Sequence, residues 1–275
     1  VDEACRRYYD NRFKQKTKAV FVQGDTSQDF MNTECYDNVM ISDEDKKHSE
    51  TMLSILYNKH KSIPKEYKNI QKKFNNLGIQ KFEVISSQFT FHYYLETEDK
   101  FKNTIDNIVK NIQSGGYFIG TCYDGEKLFD LLNDKNKIEY THDDGTLVYS
   151  IEKKYETKTF NYDEENIDNM FGQQIDVYME SIGQTIPEYL VNFTFLKDYM
   201  KKNGFELVTH ETQSKIKKGS YVGANIFQKG YTSENYGDFE KVINGLPDLK
   251  TYDPDLQDKG KYQQAMSIIK DKELK

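Results

Sequence analysis

Tryptophan is absent from this sequence, proline occurs only 4 times in 275 residues, and cysteine 3 times. The cysteines (Cys5, Cys35, Cys122) are widely spaced with no C-x-x-C pair. That argues against a zinc knuckle or disulfide framework and for a reducing compartment. No stretch of about 18 apolar residues occurs, so no membrane span is expected. No secretory leader is expected ahead of the first helical pattern. Scans for a G-x-x-x-x-G-K-S/T phosphate loop, an H-E-x-x-H metal helix and a G-x-S-x-G nucleophile elbow find none, and no metal is expected. With a formal charge of -7, a broad RNA-coating surface is disfavoured, whereas an enzyme gripping one terminal nucleotide is not. Tyr and Phe are abundant, at 21 and 17; an A/T-rich coding sequence explains most of them better than base stacking does. The chain opens at Val1 inside a helical pattern, and the expectation is a piece of something longer.

The organisation reads as one α/β domain. Asp2 to Lys14 is helical in pattern, Ala19 to Gln23 reads as a short buried strand, and Gly24-Asp25-Thr26-Ser27 closes it. Ser42-Asp43-Glu44-Asp45 resembles a capping box ahead of a helix carrying Met52, Ile55 and Leu56. Phe82 onward reads as a buried strand. Phe101, Ile105, Ile108 and Ile112 recur at helical spacing, with Gly115-Gly116 stopping that helix before a second buried strand to Thr121. Strand, helix, strand with apolar runs predicts a parallel sheet covered by helices.

Residues 137–180 alternate instead. Ile138 to Tyr140, the turn Asp143-Asp144-Gly145 and Leu147 to Ile151 predict a hairpin, with further strands around Phe160 and Val177. Pro187 suits a helix start, with Tyr189, Phe193, Leu196 and Met200 as its buried stripe. Gly204 ends it, and Phe205 to Thr209 reads as another strand. A core over 1–214 with a β-rich insertion at about 137–180, then a loosely organised extension over 215–275, is the simplest division.

The most informative stretch runs from Ser86-Ser87-Gln88-Phe89 through His92-Tyr93 to Gly115-Gly116-Tyr117-Phe118-Ile119-Gly120-Thr121. It resembles the mRNA cap guanine-N7 methyltransferases, whose pattern is roughly S-x-Q-F-x-x-H-Y, an acidic helix start, then G-G-Y-F-I-G-T. Pro187-Glu188-Tyr189-Leu190-Val191-Asn192-Phe193 is similar to the family's P-E-F/Y-L-V-x-F segment. Together with Ser181-Ile182-Gly183-Gln184, the flavour is nearest to capping enzymes of large DNA viruses. The resemblance covers roughly residues 15–210. It implies a Rossmann-like methyltransferase fold, S-adenosylmethionine (SAM) as cofactor and a capped RNA 5′ end as partner. Other capping domains in a longer chain are implied too. The location would be the host cytoplasm or virion for a viral protein and the nucleus for a cellular one.

Site residues follow from the same match. Asp25, after a strand at the ligand edge of an open sheet, would accept a hydrogen bond from the adenine amine of SAM; without the match it reads as a turn or cap residue. Gln88 would line the cofactor cleft. His92 and Tyr93 would border both cap guanine and methyl donor, the alternative for His92 being a satisfied structural histidine. Glu188 would accept from guanine N1–H and the 2-amino group, rejecting adenine; a carboxylate favoured by a helix dipole is its rival reading. Small basic runs (Lys14, Lys16, Lys18; Lys215, Lys217, Lys218) read first as solvated faces and second as phosphate contacts.

Four family features have no match here, and truncation at both ends is the expectation: the glycine-rich loop after the first strand, the acidic residue that grips the ribose, the N-terminal lysine- and asparagine-bearing segment, and the final strand with its cap-contacting aromatic. A non-catalytic relative that binds or stimulates a partner is therefore the rival hypothesis, and a SAM enzyme acting on another base or a small molecule is a second. Guanine N7 carries an in-plane lone pair and no proton, so no general base is expected, only positioning and electrostatics.

Overall fold

The computed structural model describes residues 4–6, 19–31, 33–36, 39–165 and 167–208. The chain divides into two units, Val1–Asn203 and Gly204–Lys275, and every element below belongs to the first. Of the expected first helix only residues 4–6 are described, and they are helical. The expected strand Ala19 to Gln23 does not form: 19–25 is irregular, without a ladder partner among the described residues. Asp25 therefore follows a coil.

Helix α1 (Asp43–Leu56) begins as its sequence dictates. The Ser42 Oγ accepts from the Asp45 backbone N–H at 3.1 Å, and Asp43, Glu44 and Asp45 occupy the positive first turn. A short helix α2 (Lys68–Phe74) leads to strand β1 (Phe82–Gln88). A 3₁₀ turn (Phe91–Glu96), helix α3 (Glu98–Asn111) and strand β2 (Ile112–Thr121) follow. Strands β1 and β2 pair in parallel, as the strand–helix–strand reading requires. They are half-exposed rather than buried, because among the described residues each has only the other as neighbour.

The glycine pair does not stop α3, which ends at Asn111. It lies inside β2 and makes a bulge: Phe82 pairs with Ile112, but Val84 pairs with Tyr117. Gly115 has φ +79°, a region that penalises a side chain, and a Cβ on Gly116 would lie 2.9 Å from the Glu83 carbonyl oxygen. A strand, not a helix C-cap, is what these glycines serve.

Helix α4 (Gly125–Asp134) connects to the hairpin of β3 (Lys137–Thr141) and β4 (Leu147–Lys153), which forms as expected around Gly145 at φ +85°. Strands β5 (Gln174–Met179) and β6 (Gln184–Tyr189) complete an antiparallel sheet ordered β3-β4-β5-β6. No strand forms around Phe160, which is a buried core residue instead.

The block at Pro187 departs most from expectation. Pro187 lies in β6 opposite Asp176, at the sheet's end, where a residue without an N–H is tolerated. Helix α5 (Phe193–Lys202) starts later, capped by Asn192, whose Oδ1 accepts from the Phe195 N–H at 2.9 Å. Its buried residues are Phe195 and Met200, with Phe193 and Leu196 only half-buried. After it, Phe205–Val208 is irregular rather than a strand; Thr209 lies outside the described residues.

The core joins α3 to α5. Phe101 is fully buried, with ring centroids 5.2 Å from Phe195, 4.8 Å from Tyr199 and 5.6 Å from Phe171. Burial of one such ring contributes roughly 2–3 kcal/mol. This packing seats the 3₁₀ turn and β6 side by side.

Candidate active site

Two separate segments build the site. The first is the 3₁₀ turn after β1, which buries His92 and presents Tyr93. The second is β6, whose period-two alternation turns Glu188 inward: it is 7% exposed, and Pro187 and Tyr189 lie on the opposite side. The Nε2 of His92 comes within 3.4 Å of the Glu188 Oε2.

That distance suggests an ion pair, but the two atoms do not align into a hydrogen bond. Both ring nitrogens of His92 and the Oε2 of Glu188 are buried with no hydrogen-bond partner among the described residues. Burial also opposes charge on each. It lowers the His92 pKa to about 4 and raises that of Glu188 to about 7. Near neutral pH the imidazole is neutral and the carboxyl is divided between its two forms. Three buried polar atoms without a partner among the described residues cost roughly 1–3 kcal/mol each, which makes this pair a candidate for an external polar partner. The rival helix-dipole reading of Glu188 is overturned, since no helix begins there.

Aromatic rings surround this buried pair. Tyr93 meets His92 edge-on at 4.3 Å, and Tyr123 stacks against His92 at 6.2 Å and 29°. The Tyr123 hydroxyl is pushed up to about 12 by burial and by the negative charges of Glu188 and Tyr93. Tyr93 is shifted upward too, by burial and by Glu188. Tyr123 escaped sequence reasoning, although its place two residues past the C-terminal end of a parallel strand is where open α/β sheets gather ligand contacts. What brings it there is Gly125, where a Cβ would lie 2.4 Å from the Val191 carbonyl oxygen; only glycine lets α4 approach the end of β6 this closely.

Asp25 and Tyr93 meet across a neighbouring cleft of about 360 Å³, lined also by Ser27, Tyr94, Pro187 and Tyr189. Asp25 Oδ1 accepts from the Ser27 N–H at 2.8 Å and the Ser27 hydroxyl at 2.6 Å. The structure does not bring Gln88 into this cleft. Its Nε2 donates to Ser86 Oγ at 3.0 Å and its Oε1 accepts from Thr121 Oγ1 at 2.9 Å, so it ties β1 to β2 at their C-terminal edge. Tyr189 lines the cleft half-buried rather than filling a core.

Comparison with known proteins decides the family. Residues 44–226 match the model of the mRNA (guanine-N(7))-methyltransferase domain. The chain belongs to that family. It is 32% identical over 126 residues to the mRNA cap guanine-N(7) methyltransferase of Candida glabrata, covering 46% of this chain and 30% of that protein. It is 29% identical over 127 residues to the Saccharomyces cerevisiae protein of the same name, covering 46% and 29%. Against the probable mRNA-capping enzyme of Acanthamoeba polyphaga mimivirus it is 31% identical over 181 residues, covering 62% of this chain and 14% of that one. The chain thus spans less than a third of the length of these curated relatives. The cap guanine-N7 methyltransferase match contains Gln88, His92, Tyr93, Tyr123 and Glu188, whereas Asp25 precedes it.

Membership in this methyltransferase family implies SAM as the general methyl donor. The cleft near Asp25 is lined by aromatic rings and by charged side chains, among them Glu96 and Lys100. Tyr93, Tyr94 and Tyr189 offer flat apolar faces there, and Asp25 a carboxylate, a set compatible with a planar ring bearing an amine. Among the described residues, no group of three or more His, Cys, Asp and Glu side chains forms a metal site, and no helix is long and apolar enough to cross a membrane.

Proposed function

We propose that this chain carries the guanine-binding and part of the SAM-binding surface of an mRNA cap guanine-N7 methyltransferase. The activity is transfer of a methyl group from SAM to N7 of the terminal guanosine of GpppN-RNA. The observation that carries this reading is the pair of buried, unpartnered groups, Glu188 and His92, 3.4 Å apart between tyrosine rings. A guanine Watson–Crick edge offers two adjacent N–H donors, and a single carboxylate accepts both. Adenine lacks that donor pair, so the same carboxylate rejects it.

Bound SAM supplies an electrophilic methyl group on a sulfonium. Everything else asked of the protein is geometric and electrostatic. Glu188 holds the guanine edge in its ionised form, while His92, kept neutral by burial, adds no positive charge beside a base that becomes cationic. Tyr93, shared by the pocket and the Asp25 cleft, sits where guanine and methyl donor meet. Guanine N7 would present an in-plane lone pair and no proton to the methyl group, so neither Glu188 nor His92 would act as a general base and both would serve to position the guanine. Alignment of this kind converts a bimolecular step into an effectively unimolecular one.

Labelled SAM with GpppG-capped RNA, and an uncapped control, tests this directly. Cap-dependent label at N7 is expected. A folded chain that binds GpppG without methylating it would favour the second reading, a non-catalytic cap-binding relative. The engagement of Gln88 between β1 and β2, away from the Asp25 cleft, supports that alternative.

A further inference from the structure

Asp25 sits in a turn outside any regular element, and its own carboxylate bonds stay within that turn. The anchor comes from α3. Asn107, only 5% exposed, directs its Nδ2 into two backbone carbonyls of the turn, Thr26 O at 3.0 Å and Gln28 O at 2.7 Å. Thr104, also buried, approaches the same Thr26 carbonyl at 3.5 Å. One turn later Asn111 donates to the Asn107 carbonyl at 2.7 Å and is itself held by the Tyr57 hydroxyl at 2.6 Å. A polar stripe therefore runs along a helix whose other buried positions are Phe101, Ile105 and Ile108.

A buried amide is costly unless its bonds are made. Here the amide's donors are spent on the turn, while its Oδ1 has no hydrogen-bond partner among the described residues. The orientation is dictated, because a flipped amide would set Oδ1 against two carbonyl oxygens. On its other side the turn is tied by Thr26 Oγ1 to the Tyr94 hydroxyl, next to Tyr93. The turn is clamped between α3 and the segment that carries His92 and Tyr93.

We infer that Asn107 is a positioning residue that fixes the Asp25 turn against the cleft shared with Tyr93, so that the carboxylate is pre-placed for its ligand. The inference rests on the proposed reading of Asp25 as acceptor for the adenine amine of SAM.

Hydrogen exchange of the turn amides in the full chain, with no ligand present, is the first readout. Asn107→Asp keeps the shape but turns donors into acceptors, and it raises exchange at Ser27 and Gln28 about tenfold. Tyr94→Phe removes only the hydroxyl tie and raises exchange about threefold; it decides the matter if Asn107→Asp does not fold. Binding of S-adenosylhomocysteine weakens in the same order, while GpppG binding stays within about twofold of wild type. In an Asp25→Ala background, Asn107→Asp causes no further loss.

Unchanged turn exchange in both variants overturns the inference. So do additive losses with Asp25→Ala, or equal losses for both ligands, since each describes a residue that merely supports the fold. A wild-type chain that binds no S-adenosylhomocysteine, with turn exchange responding as expected, instead overturns the role given to Asp25.

Discussion

Glu188 and Asn192 lie four residues apart, both buried, and the fold treats them in opposite ways. At the start of α5, Asn192 is fully enclosed and fully used: Oδ1 caps the helix at the Phe195 N–H, and Nδ2 donates to the Phe160 carbonyl at 2.6 Å. At the end of β6, Glu188 faces His92 with an unpartnered oxygen. The first arrangement is that of a structural polar residue, whose bonds close within the protein. The second is the arrangement proposed above as a ligand site, in which a buried oxygen has no bond within the described residues. Burial alone does not separate them; satisfaction of hydrogen bonds does.

Four measurements sharpen or break this contrast. The largest effect is expected at Glu188. Its replacement by alanine lowers methyl transfer to GpppG-RNA about a thousandfold, roughly 4 kcal/mol, while the urea midpoint moves little. If transfer survives within tenfold, the guanine-edge assignment fails. Asn192→Ala is expected to do the reverse. It leaves the Phe195 N–H and the Phe160 carbonyl unpaired in the core and costs about 3 kcal/mol of stability by urea unfolding. The activity of the folded fraction is retained. A loss below about 1 kcal/mol would mean the cap is not structural in the sense argued here.

The third effect is pH-dependent. The Glu188 pKa rises from 4.5 unfolded to about 7 folded, so its contribution to stability is fully present below 4.5 and is lost as pH rises through 7. Glu188→Gln is then expected to stabilise the chain at pH 8 by on the order of 2 kcal/mol and to be neutral at pH 4. Guanine binding, which needs the carboxylate, strengthens over the same rise. His92 runs the other way: its pKa falls from 6.5 to about 4, so its contribution is present above 6.5 and lost as pH drops through 4. Imidazole NMR shifts that titrate near 6.5 would refute the buried, neutral histidine. The smallest effect concerns Tyr123. Tyr123→Leu raises the KM for capped RNA about tenfold, near 1.4 kcal/mol, and Tyr123→Phe changes it less than twofold. Equal effects of the two variants would assign the hydroxyl rather than the ring.

Much of the site was legible in the residues. Gln88-Phe89, His92-Tyr93 and the Pro187-Glu188 block carried the family, and His92, Tyr93 and Glu188 do converge. The route to Glu188 was misread, because Pro187 suits the first turn of a helix and the end strand of a sheet equally well. What selects the strand is the pairing of β6 with β5, a non-local fact. Gly115-Gly116 was ambiguous in the same way, since a helix stop and a bulge make similar demands on the backbone.

By itself, the sequence determined the family, the parallel strand–helix–strand unit, the hairpin at Gly145 and the candidate residues His92, Tyr93 and Glu188. These rest on local periodicity, turn chemistry and residue identity, which the chain carries without reference to distant partners. Only the tertiary structure decided that Tyr123 joins the pocket, that Gln88 is spent across β1 and β2, and that Asn107 holds the Asp25 turn. Each of those is a contact between distant groups, settled only when segments 30 to 80 residues apart come together.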